Sequence, residues 1–546
     1  MAKLNGSQIL ARALRMHGVD TMFYVMGGPM LAAESACIRE GIRAIDVRHE
    51  QAGAMMAHAW GRILNRVGVC MACSGPGSTN LVTGVVTAWA DAAPLLAIGG
   101  SAPARTGGLG QFQEMDQIGV FKPITKWADR VLDPRRVPDM VATAIRQAVT
   151  GTPGPVYLDM PGDVLYQEVE ESQVVYPDPT RSYVRPRPAG NTEAVREAIR
   201  LLQKSERPIL LSGSGILWSE AWDELRRLVE FAGIPFYTTP QGRGVIPDDH
   251  ELSFLTARSN AFSEADLLLV VGTRANYVSG NLAPPRFNAD AKLIQVNINP
   301  GEIGLTRACD CGIVGDAKTV LKQLAVEAEG RLDSKRYRAW VKHLADIDRA
   351  KIVKAEAKMS TDQIPIHPLR LCKEIRDFLD RDAILVVDGQ DILNYGRQSI
   401  PTFVPGHRLN SGPFGTMGVG LPFGIGAKVA RPDKQVLVLH GDGSFGLNAM
   451  ELDTAARFKI PVVTVISLNG GWTGDAKREK PGRELGYTRF DKMAEALGCY
   501  GEYVEQPAQI RPALERAFKA GMPALVNVKT DFSAQATTAR FATYTT

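Results

Sequence analysis

HGDGSFGLNAM, residues 440–450, follows the apolar run QVLVL, and its reading decides how the chain folds. Gly441, Gly443 and Gly446 spell G-x-G-x-x-G, a turn that delivers phosphate to the start of a helix. Asp442 stands between the first two glycines, and its carboxylate repels a bare pyrophosphate. A dinucleotide site also needs Asp or Glu about 20 residues further on, at the end of the next strand, to bind the ribose. Here the next strand, VVTVISL, ends in Asn469. The alternative is a metal held beside the phosphates. The Asp442 carboxylate, the Asn469 amide oxygen and a carbonyl from the turn Gly470-Gly471, assigned to Gly471, are oxygen donors of the kind magnesium prefers. Two parallel strands ending on one sheet edge bring these donors together. A helix is expected to start near Leu447 and to offer its N-terminus to the same phosphates.

Outward from this loop the chain divides into three blocks. In residues 1–175, TMFYVMGG, RAIDVRHE, VGVCMACSGPG and PLLAIGGSAP alternate with helical segments such as ESACIREG and HEQAGAMMAHAWGRI, the rhythm of a parallel sheet. YPDPTRSYVRPRPAGN at 176–191 is proline-rich and reads as a linker. Residues 192–345 repeat the rhythm with RPILLSGSG, IPFYTTPQGRG, ADLLLVVGTR and AKLIQVNINPGEIG. A charged helical segment then leads to a boundary at IPIHP, and residues 366–546 form the third block. The expected fold is α/β, with three doubly wound parallel-sheet domains and ligands beyond the C-terminal ends of strands.

Composition narrows the function classes. Lys and Arg total 63 against 59 Asp and Glu, a net charge of +4 without a basic stripe, which argues against nucleic acid. No stretch approaches the roughly 18 to 20 apolar residues of a membrane span. The N-terminus reads as a capped amphipathic helix rather than a signal peptide. Seven cysteines in so long a chain point to a reduced, cytoplasmic compartment. Cys70 and Cys73 lie in a buried strand pattern, and Cys309 and Cys311 lack zinc spacing, so all four read as structural.

GDG, 26 residues between Asp442 and Asn469, and the glycine turn together resemble the diphosphate and magnesium motif of thiamine diphosphate enzymes. The family's paired asparagines are reduced here to Leu468-Asn469. VRHEQAGAMMAHAWGR at 47–62 resembles the R-H-E-x-x-A segment of the acetolactate synthase-like superfamily, which implies that Glu50 is the acid that activates the cofactor. Taken by itself, Glu50 is also a favourable residue for a helix start. SGPGSTN at 74–80 resembles the segment lining the aminopyrimidine, with Asn80 directed at it. GPFGTMGVGLP at 412–422 resembles the segment in which Met417 wedges between the two cofactor rings and the Gly415 carbonyl meets the amino group. VDGQD at 387–391 resembles the loop that anchors the diphosphate through Gln390 and Asp391, and Gly443 and Ser444 complete that set. The resemblance implies an N-terminal pyrimidine-binding domain, a middle domain that holds ADP, FAD or nothing, and a C-terminal diphosphate-binding domain. It also implies a site shared by two chains, with a homodimer as the minimum active unit and a homotetramer as the assembly.

Within the superfamily the sequence is most similar to 2-hydroxyacyl-CoA lyases and oxalyl-CoA decarboxylases. VGTRANYVSGN at 271–281 resembles their R-x-N-W/Y segment rather than the R-F-D-D-R of flavin-bearing synthases. Phe112 and Gln113 stand where oxalyl-CoA decarboxylases tend to have tyrosine and glutamate, and an uncharged pair suits an uncharged substrate end. The expected reaction is cleavage of a 2-hydroxyacyl-CoA to formyl-CoA and an aldehyde or ketone, with Gln113 orienting a substrate oxygen. Oxalyl-CoA decarboxylation and pyruvate carboligation are the alternatives, and a non-catalytic cofactor-binding subunit is the third class. Arg274 and the group Lys477, Arg478, Lys480 and Arg483 are candidate partners for CoA phosphates. The tail from Thr530 onward either closes over the site or frays.

Overall fold

The computed structural model describes residues 2–182, 185–472, 477, 479 and 481–536. Three parallel sheets organise them, as the block pattern predicts. Across the first sheet the strands run Arg43–Asp46, Thr21–Tyr24, Gly68–Ala72, Leu95–Ser101, Pro155–Pro161 and Trp127–Arg130. Gly68–Ala72, Leu95–Ser101 and Pro155–Pro161 are buried at every position, because helices cover both faces. A small antiparallel pair, Lys3–Asn5 with Glu168–Glu170, ties the beginning of this domain to its end. The first helix, Gly6–Met16, starts at a capping box in which Asn5 and Gln8 bond each other's backbone.

The second sheet runs Phe236–Thr238, Pro208–Ser212, Leu267–Val271, Lys292–Asn297 and Cys311–Val314. After it comes a helix of 22 residues, Arg338–Met359, which buries Trp340 and Leu344. The third sheet runs Arg408–Asn410, Ile384–Asp388, Val436–Gly441, Val463–Leu468, Ala524–Lys529 and Tyr500–Val504. Numbered in chain order within each sheet, the first and third both read 2-1-3-4-6-5.

The helices that follow the second strand of those two sheets, Glu50–Leu64 and Gly420–Ala430, pack against each other. Gly426 lies so close that a Cβ would stand 2.3 Å from the Met56 carbonyl oxygen. Met55, Met56 and Trp60 share one core with Leu421 and Phe423, so the first and third domains are joined through their interiors. Among the described residues, no helix is long and apolar enough to cross a membrane.

Candidate active site

The C-terminal edge of the third sheet forms a cleft. Three neighbouring strands supply its walls: Ile384–Asp388 leads to Gly389-Gln390-Asp391, Val436–Gly441 to Asp442-Gly443-Ser444, and Val463–Leu468 to Asn469. Met417, Gly471 and Trp472 line the same cleft. The helix expected near Leu447 begins earlier. Asp442–Gly446 is itself one helical turn, and the next helix starts at Glu451. Packing overrides the weak helix preference of Gly443 and Gly446: a Cβ on Gly443 would stand 2.5 Å from the Trp472 ring, so only glycine fits beneath it.

Asp442 is 3% exposed and pinned by two backbone donors, Gly443 N–H to Oδ1 at 3.0 Å and Gly470 N–H to Oδ2 at 2.8 Å. Burial pushes its carboxyl up to about 7, against the pull of those N–H groups. Asn469 Oδ1 accepts from Gly471 N–H at 3.1 Å. No group of three or more His, Cys, Asp or Glu side chains that could hold a metal occurs among the described residues. A cation here would therefore depend on one carboxylate, amide and carbonyl oxygens and a ligand's phosphates. That set suits magnesium. The start of the tail also reaches the cleft: Ala534 lines it, and Ala536 N–H donates to Asp391 Oδ1. Beyond Ala536 the tail lies outside the described residues.

Glu50 is the first residue of its helix and is buried at 8% exposure. Asn80 Nδ2 donates to Glu50 Oε2 at 2.9 Å, while Oε1 accepts no hydrogen bond from the described residues. A Cβ on Gly77 would stand 3.3 Å from Oε1 and 2.5 Å from Cys73 Sγ, so this segment passes tightly against the acid. The backbone before Glu50 is seated on the third domain, where Glu451 accepts from the N–H groups of Arg48 and His49. The cleft at Asp442 includes none of Glu50, Asn80 and Gln113. Within one chain, the predicted site residues thus fall into two separate groups. Gly415 has φ +72° and open space around it.

Gln113 is half-buried and adopts φ +58°. Ser74 Oγ donates to its Oε1 at 2.6 Å, which leaves Nε2 as the free donor. Phe112 beside it is 85% exposed.

A further cavity lies where all three domains meet, lined by Asp91, Gln241, Arg274, Arg397, Asn410 and Gly412 among others. The Arg397 guanidinium makes no hydrogen bond among the described residues, and burial pushes it down to about 10. Arg258 and Arg408, also held down to about 9 by burial, feel the same cluster of positive charge. Asp248 pairs with Arg243 at 2.7 Å, but no ion pair reaches Arg258, Arg397 or Arg408 among the described residues. The sequence reading found Arg274 and missed these arginines, which come from distant segments and share no local pattern. Lys477 is exposed, Arg483 accepts the Trp472 N–H through its carbonyl, and neither lines this cavity. Arg478 and Lys480 lie outside the described residues.

Three family models match the chain in order: the thiamine pyrophosphate enzyme N-terminal TPP binding domain at residues 4–120, the central domain at 195–324 and the C-terminal TPP binding domain at 394–528. A probable acetolactate synthase of Mycobacterium bovis is 36% identical, covering 97% of this chain and 96% of the relative. A 2-hydroxyacyl-CoA lyase of Arabidopsis thaliana is likewise 36% identical, covering 97% and 96%. An oxalyl-CoA decarboxylase of Escherichia coli K12 is 32% identical over 96% and 95%. With its three parallel sheets in the same sequence of domains, the chain belongs to the thiamine pyrophosphate enzyme family, in the group that unites acetolactate synthases, 2-hydroxyacyl-CoA lyases and oxalyl-CoA decarboxylases.

Proposed function

We propose that the protein is a thiamine diphosphate- and magnesium-dependent lyase that cleaves a 2-hydroxyacyl-CoA to formyl-CoA and an aldehyde or ketone. The observation that carries this reading is the part-buried Arg397 guanidinium, which has neither a hydrogen bond nor an ion pair among the described residues, in a cavity that also holds Arg274. Partial desolvation without a partner disfavours such a cation, and an entering anion offsets that penalty. Phosphate groups of a CoA ester suit guanidinium donors, which bind phosphate in a forked geometry. Gly412 and Pro413 line the same cavity and begin the segment that ends at Met417 in the cleft. That continuity gives a CoA ester a path from its phosphates to the cofactor.

When bound, thiamine diphosphate supplies a carbon nucleophile for the thioester carbonyl and an electron sink as the C1–C2 bond breaks. Asp442, Asn469 and the Gly471 carbonyl would hold magnesium, and Gln390, Asp391, Gly443 and Ser444 would hold the diphosphate. Gly415 and Met417 would line the ring portion of the cofactor. Glu50 would face the aminopyrimidine through Oε1 and hold or release a proton at that atom, while Asn80 fixes Oε2. Gln113 donates from Nε2 to a substrate oxygen. The proton lost by the 2-hydroxyl balances the one gained by the formyl carbon.

A second copy of the chain brings its Glu50 to the Asp442 cleft, so the homodimer is the smallest active unit, within a homotetramer. If the middle domain takes a nucleotide, ADP or FAD, the cavity bounded by Gly215, Thr273, Arg274, Asn297 and Asp316 and walled on its other side by Ala92 and Val149 would receive it. Seven cysteines, all free, fit a cytoplasmic enzyme.

The test is chromatography of CoA esters after incubation with thiamine diphosphate, magnesium and a panel of 2-hydroxyacyl-CoAs. Formyl-CoA that requires the cofactor and disappears in Glu50→Gln supports the lyase. The synthase relatives favour a second reading, pyruvate carboligation, for which acetolactate forms from pyruvate and no formyl-CoA appears. Formyl-CoA and carbon dioxide from oxalyl-CoA alone would assign the decarboxylase. No product from any of these substrates with cofactor bound would assign the non-catalytic subunit.

A further inference from the structure

We propose that Gln117 is a positioning residue that sets the Glu50–Asn80 pair and Gln113 relative to each other. The inference rests on the assignment of Glu50 as the cofactor-activating acid and is independent of the substrate.

Gln117 is 1% exposed and spends its whole amide on backbone and side chains of the first domain. Its Oε1 accepts from Gly75 N–H at 2.7 Å. Its Nε2 lies 2.9 Å from the Gly100 carbonyl, 2.8 Å from Tyr157 Oη and 2.8 Å from Asp159 Oδ1. Asp159 is fully buried and is itself fixed by Arg130 Nε at 2.5 Å and Ser101 Oγ at 2.8 Å. The anchor is therefore rigid, and it ends on the backbone of residues 73–80.

That segment is the one that touches the acid. Gly75 has φ +57°, a conformation that no side chain favours, and the Gln117 bond holds it there. Two residues on, Gly77 passes against Glu50, and Asn80 then donates to it. The other end of the loop 111–117 carries Gln113, whose Oε1 is tied to Ser74 and whose backbone carbonyl would stand 2.9 Å from a Cβ on Gly75. Two glutamines four residues apart thus grip Ser74 and Gly75, adjacent residues of the segment that carries Asn80. Only an amide offers an acceptor for Gly75 together with donors for the carbonyl and the carboxylate. Gln117→Met keeps the volume and removes all four contacts. Gln117→Glu keeps the acceptor but faces Asp159 with a second carboxylate, until acid restores one donor.

The measurement is the rate of deuterium exchange at thiamine C2 in the bound cofactor, read by proton NMR after acid quench. It reports on Glu50 and needs no substrate. Ser7→Ala, which removes a buried bond to the Leu165 carbonyl elsewhere in the domain, controls for lost stability, with unfolding of each apo-protein followed by circular dichroism. Exchange in Gln117→Met falls about ten-fold or more, Ser7→Ala stays near wild type, and Gln117→Glu recovers toward wild type between pH 8 and pH 6. Wild-type exchange in Gln117→Met overturns the inference. Should Gln117→Met fail to fold, a ratio of Gln117→Glu to wild type that is equal at both pH values overturns it. If Glu50→Gln also exchanges at the wild-type rate, the role of Glu50 falls and the inference falls with it.

Discussion

The first and third sheets share the strand order 2-1-3-4-6-5 and pack through equivalent helices, yet their C-terminal edges do opposite chemistry. After the third strand of one sheet comes Cys73–Asn80, a neutral segment whose Asn80 donates to a carboxylate supplied from the preceding helix. After the third strand of the other comes Asp442–Gly446, which carries its own carboxylate. Topology fixes where the loops stand, and two or three residues in each decide what they hold. Glu50 has one oxygen without a hydrogen bond among the described residues, which suits the proton exchange proposed for it. Asp442 has both oxygens engaged by N–H groups and is held in one orientation, which suits the metal role proposed for it.

The largest effect should come from breaking the first edge. Glu50→Gln retains the Asn80 contact and the helix start, yet turnover should drop by about 10³-fold, in the range of general acid–base catalysis. Steady-state kinetics on whichever substrate proves active checks this, and a loss under about ten-fold would remove Glu50 from the chemistry. Asp442→Asn tests the second edge. The amide oxygen can still accept the Gly470 N–H, but the charge is gone. Thiamine diphosphate affinity in magnesium buffer should weaken by about 100-fold, on the scale of a lost charge-assisted contact. Titration by tryptophan fluorescence reads it, and unchanged affinity would show that Asp442 carries no cation.

The seam between the two sheets gives a smaller effect. Gly426→Ala improves helix propensity by about 1 kcal/mol, but its Cβ meets the backbone of Met56, which cannot turn aside. Overpacking at such a site costs about 3 kcal/mol, so the clash wins. A thermal midpoint at or above wild type would show that the two helices part easily.

What the sequence made legible follows from this comparison. Asp442, Asn469 and the 387–391 loop stand at the ends of buried strands, where apolar runs of five or six residues announce themselves and the candidate residues sit just past them. Glu50 instead follows the short, mostly part-exposed strand Arg43–Asp46 and is legible through its R-H-E-x-x-A pattern. Edge strands were harder to see. Tyr500–Val504 buries only its last residue fully, and Arg408–Asn410 is three residues long with charged and polar ends. The Asp442 turn reads as loop because glycine is a poor helix former, and only the packing of Trp472 from 29 residues further on makes it helical. Gln117 and the arginines of the three-domain cavity leave no local trace. Their meaning lies in partners such as Gly75, Asp159 and Gly412, which the fold brings together.

Two buried glutamates extend the contrast between the edges to stability. Glu451, in the third domain, is pushed up to about 7 by burial but has partners in Arg48 N–H, His49 N–H and Thr454 Oγ. Glu34, in the first domain, is 3% exposed, and neither carboxyl oxygen has a hydrogen-bond partner among the described residues. Burial, and then the Asp46 carboxylate, push Glu34 up to about 8, which the nearby Gly27 N–H offsets only in part. An unfolded glutamate titrates near 4.5. Between that value and about 8 the native state keeps a proton that the unfolded state has lost, so stability falls as pH rises through this window. Glu34→Gln cannot lose that proton. Its own burial cost is the same at every pH, so the variant should gain about 3.5 kcal/mol on wild type between pH 5 and pH 8. Thermal midpoints at the two pH values decide it. A Glu34→Gln difference that stays constant with pH would mean that the carboxyl ionises freely where it stands.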